Sequence, residues 1–487
     1  MNHWAIDTVY LATAHFAAGI VGFFYRIFLS RNLGPEGMGI YQQVLSFYGT
    51  AITLMTAGIP TAVSKLVAEA YAKNFKNKCT EIVSSAFFLT SAFSSLGAVF
   101  LCILAVYLQR RVLLFILPAA VFVGFSSVLR GYFLGIQKTF PLGWAILAES
   151  FVRPFFGVIV VKSRVLARLE GITRGAVTAL AVGEMASLTA LSLFFKKSTE
   201  FSANSFLNIK NAAALLSTAI PVSLSQLIGS LSGSLEAVLV PKCLEISGLS
   251  PASSMALFGK TAGMVLPLLY FPALFIMSLS SNIIPRVSAA LSSNNTYYAF
   301  RLSQQALTLT SLFSFAAAGF FISMAKPLSD LLFKGFHLEN LIKGFAAGIP
   351  FFYAEQVLIA IIRGTGNNYI PLANSLINFF TTNTLLFFLV KNPCVGIYGY
   401  SLALITASTV SICISFFFLE KEFKARFDAA KVAVKPLLCG AFMAFILINT
   451  YPSLKNLGMP EFACIVADVL LAATGFLALA MALGINK

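Results

Sequence analysis

The chain has 487 residues, of which 58% are hydrophobic and 11% are charged, and its formal net charge is +16. So few charged side chains exclude an ordinary soluble protein with a polar surface. The excess of cations does not indicate nucleic-acid binding, because they are scattered through short breaks between apolar runs, where anionic headgroups and membrane orientation account for them.

Apolar windows of about 20 residues recur from end to end, and each is long enough to cross a hydrocarbon core of about 30 Å as a helix. They are too long and too uniformly apolar for membrane-barrel strands, which alternate over about ten residues. The sequence therefore predicts an all-α polytopic membrane protein with about 14 transmembrane helices. The predicted spans are 8–29, 40–58, 82–108, 112–134, 141–161, 172–195, 213–240, 256–282, 303–325, 342–362, 371–390, 396–419, 434–451 and 461–484.

An even number of spans places both termini on one side of the membrane. With the N-terminus inside, the lysines at 73, 76 and 78 and the basic run from 421 to 435 fall on the cytoplasmic face, as the positive-inside rule favours. We therefore expect a multi-pass protein of the cytoplasmic membrane with both termini in the cytoplasm.

Two polar connectors divide the predicted spans into three parts. The stretch Lys196–Asn211 is the longest polar break in the first half, and Glu420–Lys435 is charged and amphipathic, as expected of a segment on the membrane surface. The predicted domains are an N-terminal six-helix lobe at 1–200, a second six-helix lobe at 201–420, and a linker with two extra helices at 421–487.

The two lobes echo each other in sequence. Ile59–Pro60 close the second predicted span and Ile284–Pro285 close the eighth, while Arg130–Gly131 lie at the end of the fourth and Arg363–Gly364 directly after the tenth. Chance recurrence of such pairs is the alternative. Because order and position both match, and each lobe has an even number of spans, we expect parallel structural repeats of the kind found in transporters.

Two arginines stand close to the end of the first span. Arg26 and Arg31 lie in the stretch 24–43, next to apolar runs on both sides. A cation at this depth either faces a bundle interior and marks a substrate path, or extends its head to the interface. Lys260, near the start of the eighth span, leaves the same two interpretations open.

Glu149 and Arg153 are four residues apart in the fifth span, a spacing that puts them on one helix face. They form either a self-neutralised pair that allows the helix to insert, or a switchable partner for a substrate phosphate, since arginine offers a planar fork of donors.

Acidic residues also occur in otherwise apolar runs, where each is a proton carrier, an ion ligand or a hydrogen-bonded neutral acid. They are Glu184, Glu236, Glu355 and Asp468. Glu236, with Asn374, Asn378 and Thr406, could supply the oxygen shell of a hard cation. The alternative is that the two asparagines hold helices together.

No pattern indicates an enzyme, a cofactor or a metal centre. The histidines His3, His15 and His337 are far apart, and the seven cysteines occur singly. The sequence has no glycine-rich nucleotide-binding loop.

Six stretches carry a resemblance to a known family over essentially the whole chain. They are RNLGPEGMGIYQ, GIPTAVSKLVAEA, RGYFLGIQKTFP, AESFVR, IPVSLSQLIGSL and RGTGNN. The chain resembles the stage V sporulation protein B-like family, in the polysaccharide and lipid II flippase branch of the multidrug/oligosaccharidyl-lipid/polysaccharide exporter superfamily. The resemblance implies two six-helix lobes around a central cavity, two extra C-terminal helices, and export of a lipid-linked sugar precursor.

The resemblance also implies roles for particular residues. The cations that hold the pyrophosphate in lipid II flippases match Arg26, Arg31, Lys65 and Lys260, and a sodium site of some relatives matches the set around Glu236. We therefore expect a monomeric flippase of an undecaprenyl-pyrophosphate-linked saccharide, a lipid II-like precursor that could serve the spore cortex. Na+ or H+ are the candidate coupling ions, and membrane lipids and wall-synthesis enzymes are the candidate partners. The alternatives are a cation-coupled multidrug exporter and a scaffold that does not transport.

Overall fold

The computed structural model describes residues 2–56, 58–107, 111–163, 169–198, 209–456 and 460–484, and every regular element in these ranges is helical. This confirms the predicted all-α class. The helices of the first half are α1 (Asn2–Thr56), α2 (Ile59–Ala72), α3 (Lys76–Tyr107), α4 (Leu117–Gly135), α5 (Phe140–Lys162), α6 (Leu169–Ser198) and α7 (Ile209–Ile246). A short 3-10 segment, Arg111–Ile116, precedes α4.

The second half begins after α7 and contains more interruptions. Its helices are α8 (Pro251–Phe258), α9 (Leu266–Tyr270), α10 (Ala273–Ser292), α11 (Thr296–Ser323), α12 (Ala325–Leu332), α13 (Glu339–Ala346), α14 (Ile349–Gly364), α15 (Tyr369–Val390), α16 (Tyr398–Phe423), α17 (Lys435–Asn456) and α18 (Glu461–Ala482). Two π-helical turns, Gly259–Val265 and Ala430–Val434, precede α9 and α17.

Thirteen helices in the described ranges are long and apolar enough to cross a membrane, and up to 14 when the bent pair α13 and α14 is counted as one span. The pair is bent by 42° where the sequence predicts a single span at 342–362. The polytopic fold and the approximate number of spans are thus confirmed.

The first two predicted spans, 8–29 and 40–58, lie in one continuous element, α1, with a kink at Gly34. Gly34 has φ 68° and ψ −178°, and Pro35 begins the helix that follows. Arg26 donates a hydrogen bond to the Gln42 side chain across this kink. A straight helix would separate two residues 16 positions apart by about 24 Å. The chain therefore bends at Gly34 and brings these two side chains together.

The described chain forms two compact units, Met1–Val238 and Leu239–Lys487, whose boundary falls inside α7. The first part of α7 belongs to the first unit because it is bonded to α1. Gln43 donates to the Ala237 carbonyl at 3.0 Å, and Thr50 donates to the Ser230 carbonyl at 2.7 Å. The predicted domain boundaries at 200 and 420 remain predictions. The first falls in residues 199–208, which lie outside the described ranges, and the second falls inside α16.

Each unit contains the same close approach of two helices at a glycine. In the first unit, a Cβ on Gly131 of α4 would lie 2.6 Å from the Pro60 carbonyl oxygen of α2. In the second unit, a Cβ on Gly364 of α14 would lie 3.1 Å from the Ile284 carbonyl oxygen of α10. These are the residues that repeat in the sequence, so the echo corresponds to an equivalent helix contact within each unit.

The last two helices form a pair that packs on α11. A Cβ on Gly319 of α11 would lie 2.6 Å from the Gly440 carbonyl oxygen of α17, so the two helices cross at small residues. Thr450 of α17 donates to the Asp468 carboxylate of α18, and Asp468 is fully buried. Lys435 Nζ donates to the Leu483 carbonyl at 2.7 Å. A buried acid thus joins the two extra helices.

Candidate functional site

Four charged side chains from three helices meet inside the first unit. Glu149 of α5 lies between two arginines: its Oε2 is 3.2 Å from Arg130 Nη2 of α4, and its Oε1 is 2.5 Å from Arg153 Nη2. Arg153 Nη2 also lies 3.2 Å from Glu184 Oε1 of α6. We call these four residues the charged cluster. With all four ionised, its two cations and two anions cancel.

Two hydroxyl groups extend the charged cluster. Ser187, one helical turn after Glu184 on α6, accepts a hydrogen bond of 2.9 Å from Arg130 Nη2. Tyr48 of α1 donates to Glu184 Oε1 at 3.4 Å, and the buried tyrosine closes that side of the cluster. The site is therefore built on α1, α4, α5 and α6, which pack together in one unit.

The local sequence explains why α5 and α6 approach closely enough to form these bonds. Arg153 and Glu149 share one face of α5 because they are four residues apart. On α6, Gly183 precedes Glu184, and a Cβ there would lie 2.8 Å from Arg153 Cβ. The absence of a side chain at Gly183 lets the arginine stem lie against the α6 backbone.

The members of the charged cluster do not satisfy all of one another's hydrogen-bonding atoms. The Glu184 side chain is 7% exposed, whereas those of Glu149, Arg153 and Arg130 are 21%, 27% and 34% exposed. Both arginines bond to the protein through Nη2, while the buried Nε atoms of Arg130 and Arg153 and the Glu184 Oε2 have no partner within the described residues. Glu149 and the two arginines are the partly exposed members, so a further ligand would meet their side chains and not the buried atoms.

Of the residues predicted to bind substrate, the structure brings Glu149 and Arg153 together. Arg26 is half-buried in α1 beside Gln42, and Arg31 and Lys65 are exposed on α1 and α2. Lys260 is half-buried in the π-helical turn of the second unit. The proposed roles of these four cations remain predictions.

The predicted ion ligands have separate partners in the structure. Glu236 accepts a hydrogen bond of 2.9 Å from Ser232 on the same helix, within the first unit. In the second unit, Asn374 donates to Ser415 at 3.0 Å, and Asn378 donates to Glu355 at 2.5 Å.

Thr406, the fourth predicted ion ligand, is exposed and donates to the Leu402 carbonyl of its own helix. No group of three or more His, Cys, Asp or Glu side chains is placed to hold a metal among the described residues.

Sequence reasoning missed Arg130, Ser187 and Tyr48, and it did not connect Glu184 to Glu149. The sequence uses Arg130 only as part of the repeated Arg–Gly pair, but the structure places it half-buried inside α4. One feature of the sequence does indicate this contact. A single acidic residue in the apolar sixth span needs a cation from another helix to neutralise it.

Curated relatives resemble this chain over much of its length. The chain is 28% identical over 414 residues to stage V sporulation protein B of Bacillus subtilis (strain 168), which covers 82% of this chain and 80% of the relative. It is 23% identical over 346 residues to the sporulation protein YkvU of the same organism, covering 68% and 76%.

Solved structures share the fold. The lipid II flippase MurJ in an inward closed conformation matches with a TM-score of 0.70 at 16% identity, covering 97% of this chain and 98% of that one. An inward-facing multidrug resistance MATE family transporter of the MOP superfamily matches with a TM-score of 0.65 at 16% identity, covering 84% and 94%. At these identities the matches establish the fold alone.

A family model decides the membership. The model described as polysaccharide biosynthesis protein matches residues 5–291, more than half of the chain and the part that contains the charged cluster. This multi-pass membrane protein belongs to the polysaccharide biosynthesis protein family.

Proposed function

We propose that the chain is a flippase that moves an undecaprenyl-pyrophosphate-linked saccharide across the cytoplasmic membrane by alternating access. The substrate class is a lipid II-like peptidoglycan precursor, and the similarity to a stage V sporulation protein supports a role in the spore cortex. No catalytic chemistry is required, because the saccharide is moved and not altered.

The observation that carries this proposal is the match of residues 5–291 to the polysaccharide biosynthesis protein family, and the extent of the fold match agrees with it. The lipid II flippase corresponds to 97% of this chain, whereas the multidrug MATE structures correspond to 84% to 86%. A flippase-type fold thus accounts for nearly all the helices, and a multidrug-type fold leaves about a seventh of the chain unmatched. This favours the flippase over the multidrug exporter that the sequence also allows.

The physical task fits the residues. A saccharide diphosphate cannot cross hydrocarbon unaided, because burying its polar and charged groups without partners is costly. Cations and hydroxyls within the helices would replace the water that the headgroup loses. Outward movement of the anionic headgroup would be favoured by an inside-negative potential, by about 2.3 kcal/mol per charge per 100 mV.

Two groups of residues are proposed to hold the headgroup. Arg26, Arg31, Lys65 and Lys260 supply cationic donors, as the family resemblance implies, and the Glu149–Arg153 pair supplies an arginine whose partner can be exchanged. We further propose that Na+ or H+ couples to the cycle, with Glu236, Asn374, Asn378 and Thr406 as the candidate Na+ ligands.

Reconstitution into liposomes tests the proposal. Purified protein should move a diphosphate-linked lipid precursor to the opposite leaflet, and Arg26→Ala and Lys260→Ala should each slow this movement by at least tenfold. Lys242→Ala is the matched control, because Lys242 is an exposed cation paired with Glu245 on the surface of α7.

Competing functions give different results in the same assay. A multidrug exporter would move cationic dyes and not the lipid precursor. A scaffold would move neither, and its cellular role would survive both substitutions. Full transport by both alanine variants would remove these cations from the mechanism.

A further inference from the structure

We propose that Arg130 and Arg153 form a diphosphate-binding site that Glu149 occupies when no ligand is bound, and that ligand binding is linked to protonation of Glu149. This inference rests on the proposed function, adds Arg130 to the residues that would recognise the headgroup, and makes Ser187 and Glu184 the residues that position the two arginines. It also assigns a coupling ion to one unit of the fold.

The first step is the arrangement of donors. Glu149 takes the Nη2 group of each arginine, at 3.2 Å from Arg130 and 2.5 Å from Arg153. The Nε atoms of both arginines are buried and have no hydrogen-bond partner among the described residues. A carboxylate bridging two guanidinium groups has the donor geometry that a phosphate oxyanion also requires. Glu149 therefore stands where a diphosphate oxygen could bind.

The second step is that residues of α6 hold each arginine in place. Ser187 holds Arg130 at 2.9 Å, and Glu184 holds Arg153 at 3.2 Å. Glu184 is almost fully buried, and its Oε2 lacks a hydrogen-bond partner in the described ranges. If Glu149 swung away, both guanidinium groups would stay in place on α6, while the 27% and 34% exposed arginine side chains remain reachable by a ligand.

The third step is charge. The four ionised side chains of the charged cluster sum to zero, so an entering diphosphate would leave the site with uncompensated negative charge in a medium of low dielectric constant. A proton on Glu149 removes one anion and leaves a net charge of +1 for the ligand. The proton comes from solvent and binds the carboxylate that the ligand displaces from the arginines.

Other titratable groups face the site and must be distinguished from Glu149. The nearest is Glu184 of α6, whose Oε1 approaches the same Arg153 Nη2 as Glu149 Oε1, and it is the rival proton acceptor within the cluster. On α1 these are His15, which interacts electrostatically with Arg130, and Tyr25, Tyr41 and Tyr48, which interact with Arg153. The tyrosines are neutral and remain donors near pH 7. His15 is exposed and is the one rival acceptor of a proton on that helix, so a His15 variant belongs in the test.

The test measures protons taken up on binding. Full-length protein in detergent is titrated with inorganic pyrophosphate, and separately with farnesyl diphosphate, by calorimetry in buffers of different ionisation enthalpy. We expect uptake of about one proton per ligand, with affinity that rises by up to about tenfold for each pH unit lowered. Equal binding of both probes would mean recognition of the diphosphate alone, and tighter binding of the prenyl compound would add the tail.

Variants locate the proton. Glu149→Gln should bind the probes without proton uptake and with little pH dependence, and Arg130→Met should weaken binding by at least about tenfold. Glu184→Gln removes the other carboxylate on Arg153, and proton uptake should persist in this variant. His15→Gln and Glu245→Gln, a surface control on α7, should keep the wild-type proton count.

The outcomes separate this inference from the proposed function. Wild-type binding without proton uptake would overturn the linkage and leave the flippase proposal standing, whatever the behaviour of Glu149→Gln. Loss of uptake in His15→Gln or in Glu184→Gln would place the proton elsewhere and equally overturn it. If neither probe bound at any pH, the proposed diphosphate substrate itself would be wrong.

Discussion

Arg26 donates a hydrogen bond to Gln42, although 16 positions separate them in a single helical element. The contact exists because Gly34 adopts φ 68° and ψ −178°, a combination that residues with a Cβ scarcely populate. One glycine thus determines where a half-buried cation of the first helix lies.

Gly34→Ala should therefore destabilise the protein through backbone strain. No atom lies within 4 Å of the Cβ position, so the expected loss of about 1–3 kcal/mol comes from conformation and not from a clash. Unfolding by detergent titration measures it. Gly22→Ala is the control, since Gly22 also has open space but no positive φ, and alanine there should be neutral or stabilising. Equal stability of the two variants would contradict the assigned bend.

The repeated glycine contacts predict that alanine at Gly131 destabilises the protein more than alanine at Gly364. Gly131→Ala places a Cβ 2.6 Å from a carbonyl oxygen and should cost about 1–3 kcal/mol, because α2 and α4 must separate. Gly364→Ala meets its nearest atom at 3.0 Å and should cost less. The thermal unfolding midpoint reports both, with Gly49→Ala as a control in open space. A larger loss of stability for Gly364→Ala than for Gly131→Ala would contradict the tighter helix contact at Gly131.

Arg153 and Glu184 should show strong energetic coupling. Arg153→Met leaves the buried Glu184 without its cation and should cost about 2–3 kcal/mol, since the arginine is partly exposed. The double variant with Glu184→Met should lose about 1–3 kcal/mol less than the sum of the single variants. The exposed pair Lys242 and Glu245 should couple by less than about 0.5 kcal/mol. Additive losses at Arg153 and Glu184 would mean that their contact contributes nothing.

Thr450→Val should destabilise the C-terminal helix pair. The buried Asp468 carboxylate would lose the hydroxyl that bonds it, and its Oδ2 already has no partner within the described chain. We expect a loss of about 1–3 kcal/mol in detergent unfolding and near-neutral behaviour of Asp468→Asn. Thr409→Val is the control, because the Thr409 hydroxyl bonds a carbonyl of its own helix. A loss as large in the control would remove any special role of Thr450.

Hydropathy predicted most of the spans because each helix in lipid must pair its own backbone groups over a fixed length. It was less successful at turns. The stretch around Gly34 reads as a loop because it is rich in glycine and polar residues, yet Pro35 begins a new helix directly. Hydropathy also fails to predict α2, which begins directly after the predicted span that ends at residue 58. Exposed Lys65 and Glu69 lower the mean hydropathy of this helix, although its other face is buried.

The site was predictable only where sequence spacing encodes proximity. Glu149 and Arg153 are four apart on one helix, so their pairing follows from helical geometry. Arg130 is 19 residues from Glu149, and Glu184 is 31 residues from Arg153, so their contacts depend on how α4, α5 and α6 pack. No periodicity in a single chain reports that packing.

The two units place different chemistry on equivalent helices: paired arginines and glutamates on α4, α5 and α6, but a carboxylate and amides on α14 and α15. A gene duplication yields two copies of each position, and only one copy needs to retain the ancestral task. Here the copy in the first unit holds four ionisable side chains, whereas the copy in the second pairs one acid, Glu355, with the neutral amide of Asn378. Titration or a change of membrane potential would therefore act on more of these paired groups in the first unit than in the second.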